Sequence, residues 1–248
     1  MPMKQELRPA SATARAPASI GNVGVGFDVL GLAFGAAHDR VTAVREARPG
    51  VRLGEVTGLV SALPAEVDRN TALAAAQALL DAAGAEFGVR LDIDKGVPLA
   101  AGMGGSAASA VAAAAAVNAL LPEPLPTEAL LPFAIEGERV SSDPPPWDNV
   151  IAALFGGLVL CAREQAPVLI RRLPVPAGLV ALLLHPEVQV ETRAARNLLS
   201  AEVPMRTAVE HSRKLAAFVA GCAAGYLALV RAGLEDLLVE PQRAHLLP

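Results

Sequence analysis

The stretch Gly102-Met103-Gly104-Gly105-Ser106-Ala107-Ala108-Ser109 constrains this chain more than any other. Its three glycines allow a tight turn and a close backbone approach to a ligand, because no Cβ stands in the way. The apolar run that follows, Ala107 to Leu121, predicts a helix stopped by Pro122, Pro124 and Pro126. A helix that starts directly from such a turn presents free N–H groups and a partial positive charge, which suit a phosphate without any lysine. Ser106, in the first turn, is placed to offer its hydroxyl to a phosphate oxygen or a magnesium ion. No Gly-Lys-Ser/Thr follows the glycines, so the turn is not a Walker A loop, and it is no convincing dinucleotide fingerprint. A glycine-rich connection leading into a tightly packed alanine helix is the plain alternative, and the turn by itself does not separate the two.

The segments around it interleave strands and helices without the strict alternation of a doubly wound sheet, which points to an α+β architecture. Ala16 to Val44 mixes turn residues with β-type residues and ends in an alternating run at Arg40 to Val44. Asn70 is placed to cap the helix TALAAAQALLDAA, with Gly84 as its terminator. Val89 to Ile93 alternates as a half-buried strand does. Thr127 is expected to cap a helix running to Glu138, and Val150 to Cys161 to form a short helix, a Gly156-Gly157 break and a strand. Beyond a boundary near residue 162 we expect a strand at Leu179 to Leu184, a turn at His185-Pro186, and helices at Pro204 to Ala224 and Tyr226 to Leu238.

Composition narrows the classes. With 248 residues, 53% hydrophobic and 19% charged, the chain is globular rather than disordered. A formal charge of −4 gives no reason to expect nucleic acid or an anionic membrane as partner. The mean hydropathy is positive, yet the most apolar stretch is broken by Ser109 and Asn118 and falls short of the roughly 18–20 apolar residues of a spanning helix. The first residues carry no apolar signal core. Cys161 and Cys222 lack a CxxC partner, so neither a disulfide framework nor a zinc site is indicated. A cytoplasmic protein is expected.

Taken in order, APASIGNVGVGFDVLGLAF, PLAAGMGGSAASAVAAAAAVNALL, DNVIAALFGGLVL, HPEVQVETRAARNLL and EPQRAHLLP resemble the homoserine kinase branch of the galactokinase–homoserine kinase–mevalonate kinase (GHMP) superfamily. The resemblance runs over essentially the whole chain. It implies a two-domain GHMP kinase fold, with a ribosomal-protein-like α/β domain at 1–162 and a ferredoxin-like domain at 163–248. It also implies ATP and Mg2+, L-homoserine as substrate, no nucleic acid, no membrane, and the family's tendency to form a homodimer. Homoserine kinases continue with a glycine-rich third motif that is missing here, so the second domain is expected to be incomplete.

Carried over by resemblance, Asn22 and Asp28 would hold the substrate amino acid, and Asn149 would contact it near the reacting hydroxyl. Arg196 and Arg243 would clamp its α-carboxylate, a task that suits the planar guanidinium fork. Asn70 would lie near the base and Thr192 near the phosphates, with Pro98, Gly102, Met103, Gly104, Gly105, Ser106, Ala107 and Ala108 along the nucleotide. Ser106 and Glu138 would place the magnesium ion. The sequence departs from the family at two points: GMGGS replaces the usual GLGSS, so Gly105 stands for a serine, and Pro146 occupies the family's histidine position. Two other readings stay open, a GHMP kinase for a mevalonate-type alcohol or a sugar, and a remnant that binds without turnover.

Overall fold

The computed structural model describes residues 9–184 and 192–246. Its strands are β1 (Ser11–Gly21), β2 (Leu30–Glu46), β3 (Gly50–Gly58), β4 (Gly88–Lys95), β5 (Leu158–Arg163) and β6 (Leu169–Leu173). Its helices are α1 (Thr71–Ala82), α2 (Gly105–Asn118), α3 (Leu131–Arg139), α4 (Trp147–Phe155), α5 (Thr192–Asn197), α6 (Met205–Ala224), α7 (Leu227–Ala232) and α8 (Glu240–Arg243). The chain folds into two compact units whose segments interleave along the sequence. The first gathers the residues up to Ala16, Ala37–Val97 and Ser106–Pro145; the second gathers Pro17–Ala36, Pro98–Gly105 and the chain from Pro146 onward.

In the first unit, β4 pairs antiparallel with β2, from Arg40 opposite Asp94 to Glu46 opposite Gly88, and parallel with β3. The two-residue period of a strand explains which face is core. Val89, Leu91 and Ile93 of β4 and Val41 and Ala43 of β2 are buried, while Arg90, Asp92 and Arg40 are not. The same parity carries Lys95 and Asp39 inward. Helix α2 is buried on nearly every side, as an alanine-rich helix with no polar face must be. Small residues let its neighbours come close: a Cβ on Gly137 of α3 would lie 2.5 Å from Thr71 O and 3.1 Å from Ala110 Cβ. The helix ends at Asn118 rather than Leu121, because the Asn118 carboxamide pairs with both the N–H (2.8 Å) and the C=O (2.9 Å) of Leu125 and folds the chain back.

Other expectations need correction. The turn before α3 begins a residue earlier than expected, with Pro126 in the capping position and no side-chain cap, so Thr127 does not cap it. Strands β1, β3 and β6 were not among the expected elements, although Ser11 to Ala16 of β1 alternates polar residues with alanine.

In the second unit, residues 30–32 of β2 pair with β5, and β5 pairs with β6, all antiparallel. Its core joins Val25, Leu30, Leu158, Phe218, Cys222 and Val230. Leu179–Leu184, expected as a strand, is irregular, and Val180, Leu182 and Leu184 are exposed. An apolar run becomes a strand only when another strand pairs with it, and none does among the described residues. The His185-Pro186 turn lies outside the described residues. Helix α7 stops at Ala232 because Gly233 is pressed against α6, where a Cβ would lie 2.5 Å from Lys214 O. Among the described residues no helix is long and apolar enough to cross a membrane, and both cysteines are free and buried.

Candidate active site

Within the second unit the glycine turn is held by the end of β1. Ser19 N–H donates to Met103 O at 3.0 Å. Gly104 has φ +63°, and a Cβ there would lie 2.1 Å from Ser19 Oγ and 2.9 Å from Asn149 Oδ1, so only glycine permits this approach. Gly102, also at positive φ, has open space around the position of a Cβ, which leaves room for a ligand against the turn.

Asn149 lies in the first turn of α4, and its Oδ1 accepts a hydrogen bond from the buried Ser19 hydroxyl at 3.0 Å. The preceding residue, Asp148, ties this asparagine to the first motif. One carboxylate oxygen accepts from Asn22 N–H at 2.9 Å and the other from Asn149 N–H at 2.9 Å. Burial, aided by the nearby Asp28 charge, pushes the Asp148 carboxyl up to about 6, against the opposing pull of those two N–H groups and Arg196.

The first motif is a strained turn. Asn22 (φ 68°), Val23 (φ 45°) and Asp28 (φ 58°) all adopt left-handed backbone; asparagine and aspartate tolerate it, a β-branched valine does not. The turn presents Asp28 to Arg196 in a two-pronged ion pair of 2.8 and 2.6 Å. Phe27 lies under both guanidinium groups, 5.4 Å from that of Arg196 and 5.1 Å from that of Arg243. Arg243 donates through Nε to Ala195 O at 2.9 Å, but its Nη2 is buried with no hydrogen-bond partner among the described residues. Burial, together with the charge of Arg196, pulls the Arg243 pKa below its usual value. Such an orphaned donor is costly in a folded protein and marks a place where an acceptor belongs. The carboxylate of Asp236 accepts from the N–H groups of Leu238, Val239 and Glu240 and so fixes the start of α8, which carries Arg243.

In the first unit, the Ser106 hydroxyl donates to Glu138 Oε1 at 2.7 Å, and Ser141 Oγ donates to the same oxygen at 2.7 Å. Thr71 at the start of α1 donates to Ser106 O at 3.1 Å, so the beginnings of α1 and α2 adjoin. Asn70 is the N-cap of α1: its Oδ1 accepts from Ala72 and Leu73 N–H, and its Nδ2 donates to Pro64 O. Ala107 and Ala108 are buried in the first turn of α2. Ser106 and Glu138 offer a hydroxyl and a carboxylate, the hard oxygen donors that Mg2+ takes alongside phosphate and water. Among the described residues no group of three or more His, Cys, Asp or Glu is arranged to hold a metal by itself.

The structure thus gathers Asn22, Asp28, Asn149, Arg196 and Arg243 in the same unit as Pro98 and the Gly102–Gly105 turn, and pairs Ser106 with Glu138 in the other. Thr192 opens α5, and its side chain lies outside the described residues. Ser19, Phe27 and Asp236 were not foreseen. Asp236 was legible, since an aspartate just ahead of Glu240-Pro241 is a helix-start pattern; Ser19 gives no such signal.

The family profile of the GHMP kinases N terminal domain matches residues 70–157. A homoserine kinase of Xanthomonas campestris pv. campestris is 46% identical over 100% of this chain and 75% of its own length. One of Xylella fastidiosa is 46% identical over 96% of this chain and 74% of its own. The crystal structure of homoserine kinase from Cytophaga hutchinsonii superposes with a TM-score of 0.89 at 36% identity, covering 98% of this chain and 77% of that one. On this footing, with the fold and the sequence agreeing along its whole length, the chain belongs to the homoserine kinase family of GHMP kinases.

Proposed function

We propose that the chain transfers the γ-phosphoryl group of ATP to the side-chain hydroxyl of L-homoserine, giving O-phospho-L-homoserine on the route to threonine. The observation that carries this reading is the cluster on Phe27: one carboxylate, Asp28, beside two guanidinium groups, one of them with a buried, unpartnered Nη2. That charge pattern complements a zwitterionic amino acid. The α-ammonium takes the place of Arg196 on Asp28, and the α-carboxylate accepts from Arg196 and Arg243. A neutral sugar or a mevalonate-type acid, which has no ammonium, leaves Asp28 without its partner.

Phosphoryl transfer asks the protein mainly for alignment and charge stabilisation. The backbone N–H groups from Gly102 to Ala108 and the start of α2 hold the triphosphate, with Pro98 and Asn70 toward the base and Thr192 toward the phosphates. Ser106 and Glu138 would hold Mg2+, which would supply neutralisation of charge on the phosphate oxygens. Asn22 orients the amino acid and Asn149 orients the acceptor hydroxyl. No side chain serves as general base. The Asn149 carboxamide cannot take a proton at neutral pH, and both Asp148 oxygens already accept backbone N–H groups.

From the family resemblance we also assign residues 1–162 to the nucleotide-binding domain and 163–248 to the C-terminal domain; the family profile ends at residue 157, close to that limit, while the compact units of the fold interleave across it. Cytoplasmic location and a homodimer are further parts of the reading, supported by the family resemblance. A coupled ADP-release assay on the full chain, offering homoserine, mevalonate and galactose as acceptors, tests the proposal. Release driven by homoserine alone is expected. Release driven by mevalonate or galactose overturns the choice of substrate, and nucleotide binding without release for any acceptor overturns the enzymatic reading.

A further inference from the structure

The proposed transfer makes no use of one deeply buried ion pair. Lys95, at the end of β4, and Asp39, in β2, have side chains 1% and 0% exposed and form a direct ion pair. The carboxylate is fully engaged. Asp39 Oδ1 accepts from the N–H groups of Gly96 (3.1 Å) and Val97 (3.0 Å), and Oδ2 accepts from Lys95 Nζ and from Ser109 Oγ (2.6 Å). Lys95 Nζ also donates to Ser109 Oγ at 2.9 Å.

The positions of these partners in the chain matter. Gly96 and Val97 are the last residues before the segment that carries the glycine turn, and Ser109 lies in the second turn of α2, just past it. One carboxylate therefore grips both ends of that segment. The exit from β4 is confined further at Gly96, where a Cβ would lie 2.2 Å from His38 O. Stability alone does not call for such a cluster, since well-packed apolar residues in place of a buried ion pair are commonly neutral or stabilising. Hydrogen bonds to a single carboxylate supply direction, which apolar packing does not. Binding a phosphate through backbone N–H groups depends on having them preset.

We propose that Asp39, Lys95 and Ser109 are positioning residues for the nucleotide: the carboxylate fixes both ends of the glycine-turn segment and thereby its phosphate-binding geometry. This rests on the reading of that turn as the phosphate site, and on no assumption about the acceptor. The test is calorimetric titration of the full chain with ATP and Mg2+ without amino acid, for wild type, Ser109→Ala, Ser109→Thr and the double variant Asp39→Leu/Lys95→Met. Ser109→Ala removes the two hydrogen bonds of that hydroxyl and is expected to weaken ATP binding about three- to tenfold, in a chain that still folds and keeps its KM for homoserine. Ser109→Thr retains the hydroxyl and recovers binding.

The double variant replaces the pair with apolar side chains; it is expected to fold and to lose about 10²-fold in ATP affinity, the scale of a misplacement on the order of 1 Å. ATP binding at wild-type strength in either Ser109→Ala or the folded double variant overturns the proposal. A wild-type chain that binds ATP without phosphorylating homoserine removes the substrate assignment and leaves the positioning role to be judged by the same titrations. A wild-type chain that does not bind ATP overturns both.

Discussion

The cluster around Lys95 and the cluster around Arg243 are built from the same kinds of group and finished differently. At Lys95, each oxygen of Asp39 has its donors and water is excluded. At Arg243, a guanidinium nitrogen is buried with no partner among the described residues, and Asp28 is held by an arginine that is itself partly exposed. A closed set of charges fixes geometry, and an open one waits for a ligand. The difference separates scaffold from site in this chain more sharply than burial alone, because the Asp39 and Arg243 side chains both carry buried polar atoms and only the Asp39 carboxylate has a donor for each of them.

Breaking the closed cluster should give the largest effect. Lys95→Met leaves Asp39 as an uncompensated buried charge and is expected to destabilise the fold by about 3–5 kcal/mol in urea unfolding. Adding Asp39→Leu should return most of that loss. If Lys95→Met alone is neutral, Asp39 is not held in a closed cluster.

Next comes Asp148. Its carboxyl in the folded protein titrates at about 6, above the ordinary carboxylate value of 3.8. Folding therefore favours the protonated form, and that contribution is complete below pH 4 and lost as pH rises through 6. The loss amounts to about 3 kcal/mol. Asp148→Asn should remove this slope, so that the difference between wild-type and variant unfolding free energies changes between pH 4 and 6 and is flat above. The same variant should keep kcat within about tenfold, whereas loss of a general base costs roughly 10²–10⁴-fold.

The open cluster responds in binding rather than in folding. Arg243→Ala is expected to raise the KM for homoserine roughly 10- to 100-fold, the scale of a hydrogen bond to a charged group, with the KM for ATP unchanged. Arg243→Lys should recover only part, since an ammonium cannot reproduce the planar fork. The smallest effect belongs to the cap: Asn70→Ala should lower stability by about 1 kcal/mol. A rise in the KM for ATP beyond that would sharpen the assignment of Asn70 to the nucleotide as well as to α1.

Much of this was legible in the sequence where a local rule governs the chain. The cap at Asn70, the terminator at Gly84, the helix after the glycine turn and the break at Gly156-Gly157 each depend on neighbours a few residues away. Legibility failed where a partner distant in sequence decides. Leu179–Leu184 carries a strand-like composition, but with no strand beside it the segment stays irregular. Asn118 ends α2 early through a bond to Leu125, which hydrophobicity does not reveal. Of the site, residue types pointed to Asp28, Arg196 and Arg243 only with the family resemblance in hand. The role of Ser19 depends on Met103 and Asn149, which only the folded chain brings to it. Lys95 shows the limit most plainly: strand parity points it inward, yet nothing local says that Asp39 and Ser109 meet it there.

The central claim is that the Asp28, Arg196 and Arg243 cluster selects an amino-acid alcohol for phosphorylation. Phosphorus NMR of the full chain incubated with ATP, Mg2+ and L-homoserine, in parallel with an Arg243→Ala sample, tests it most directly. The account predicts a new phosphomonoester resonance that grows as the ATP γ-phosphate signal falls and that slows sharply in the variant at low homoserine concentration. Formation of the same product at an unaltered rate in Arg243→Ala, or consumption of ATP with no phosphomonoester of homoserine, would contradict it.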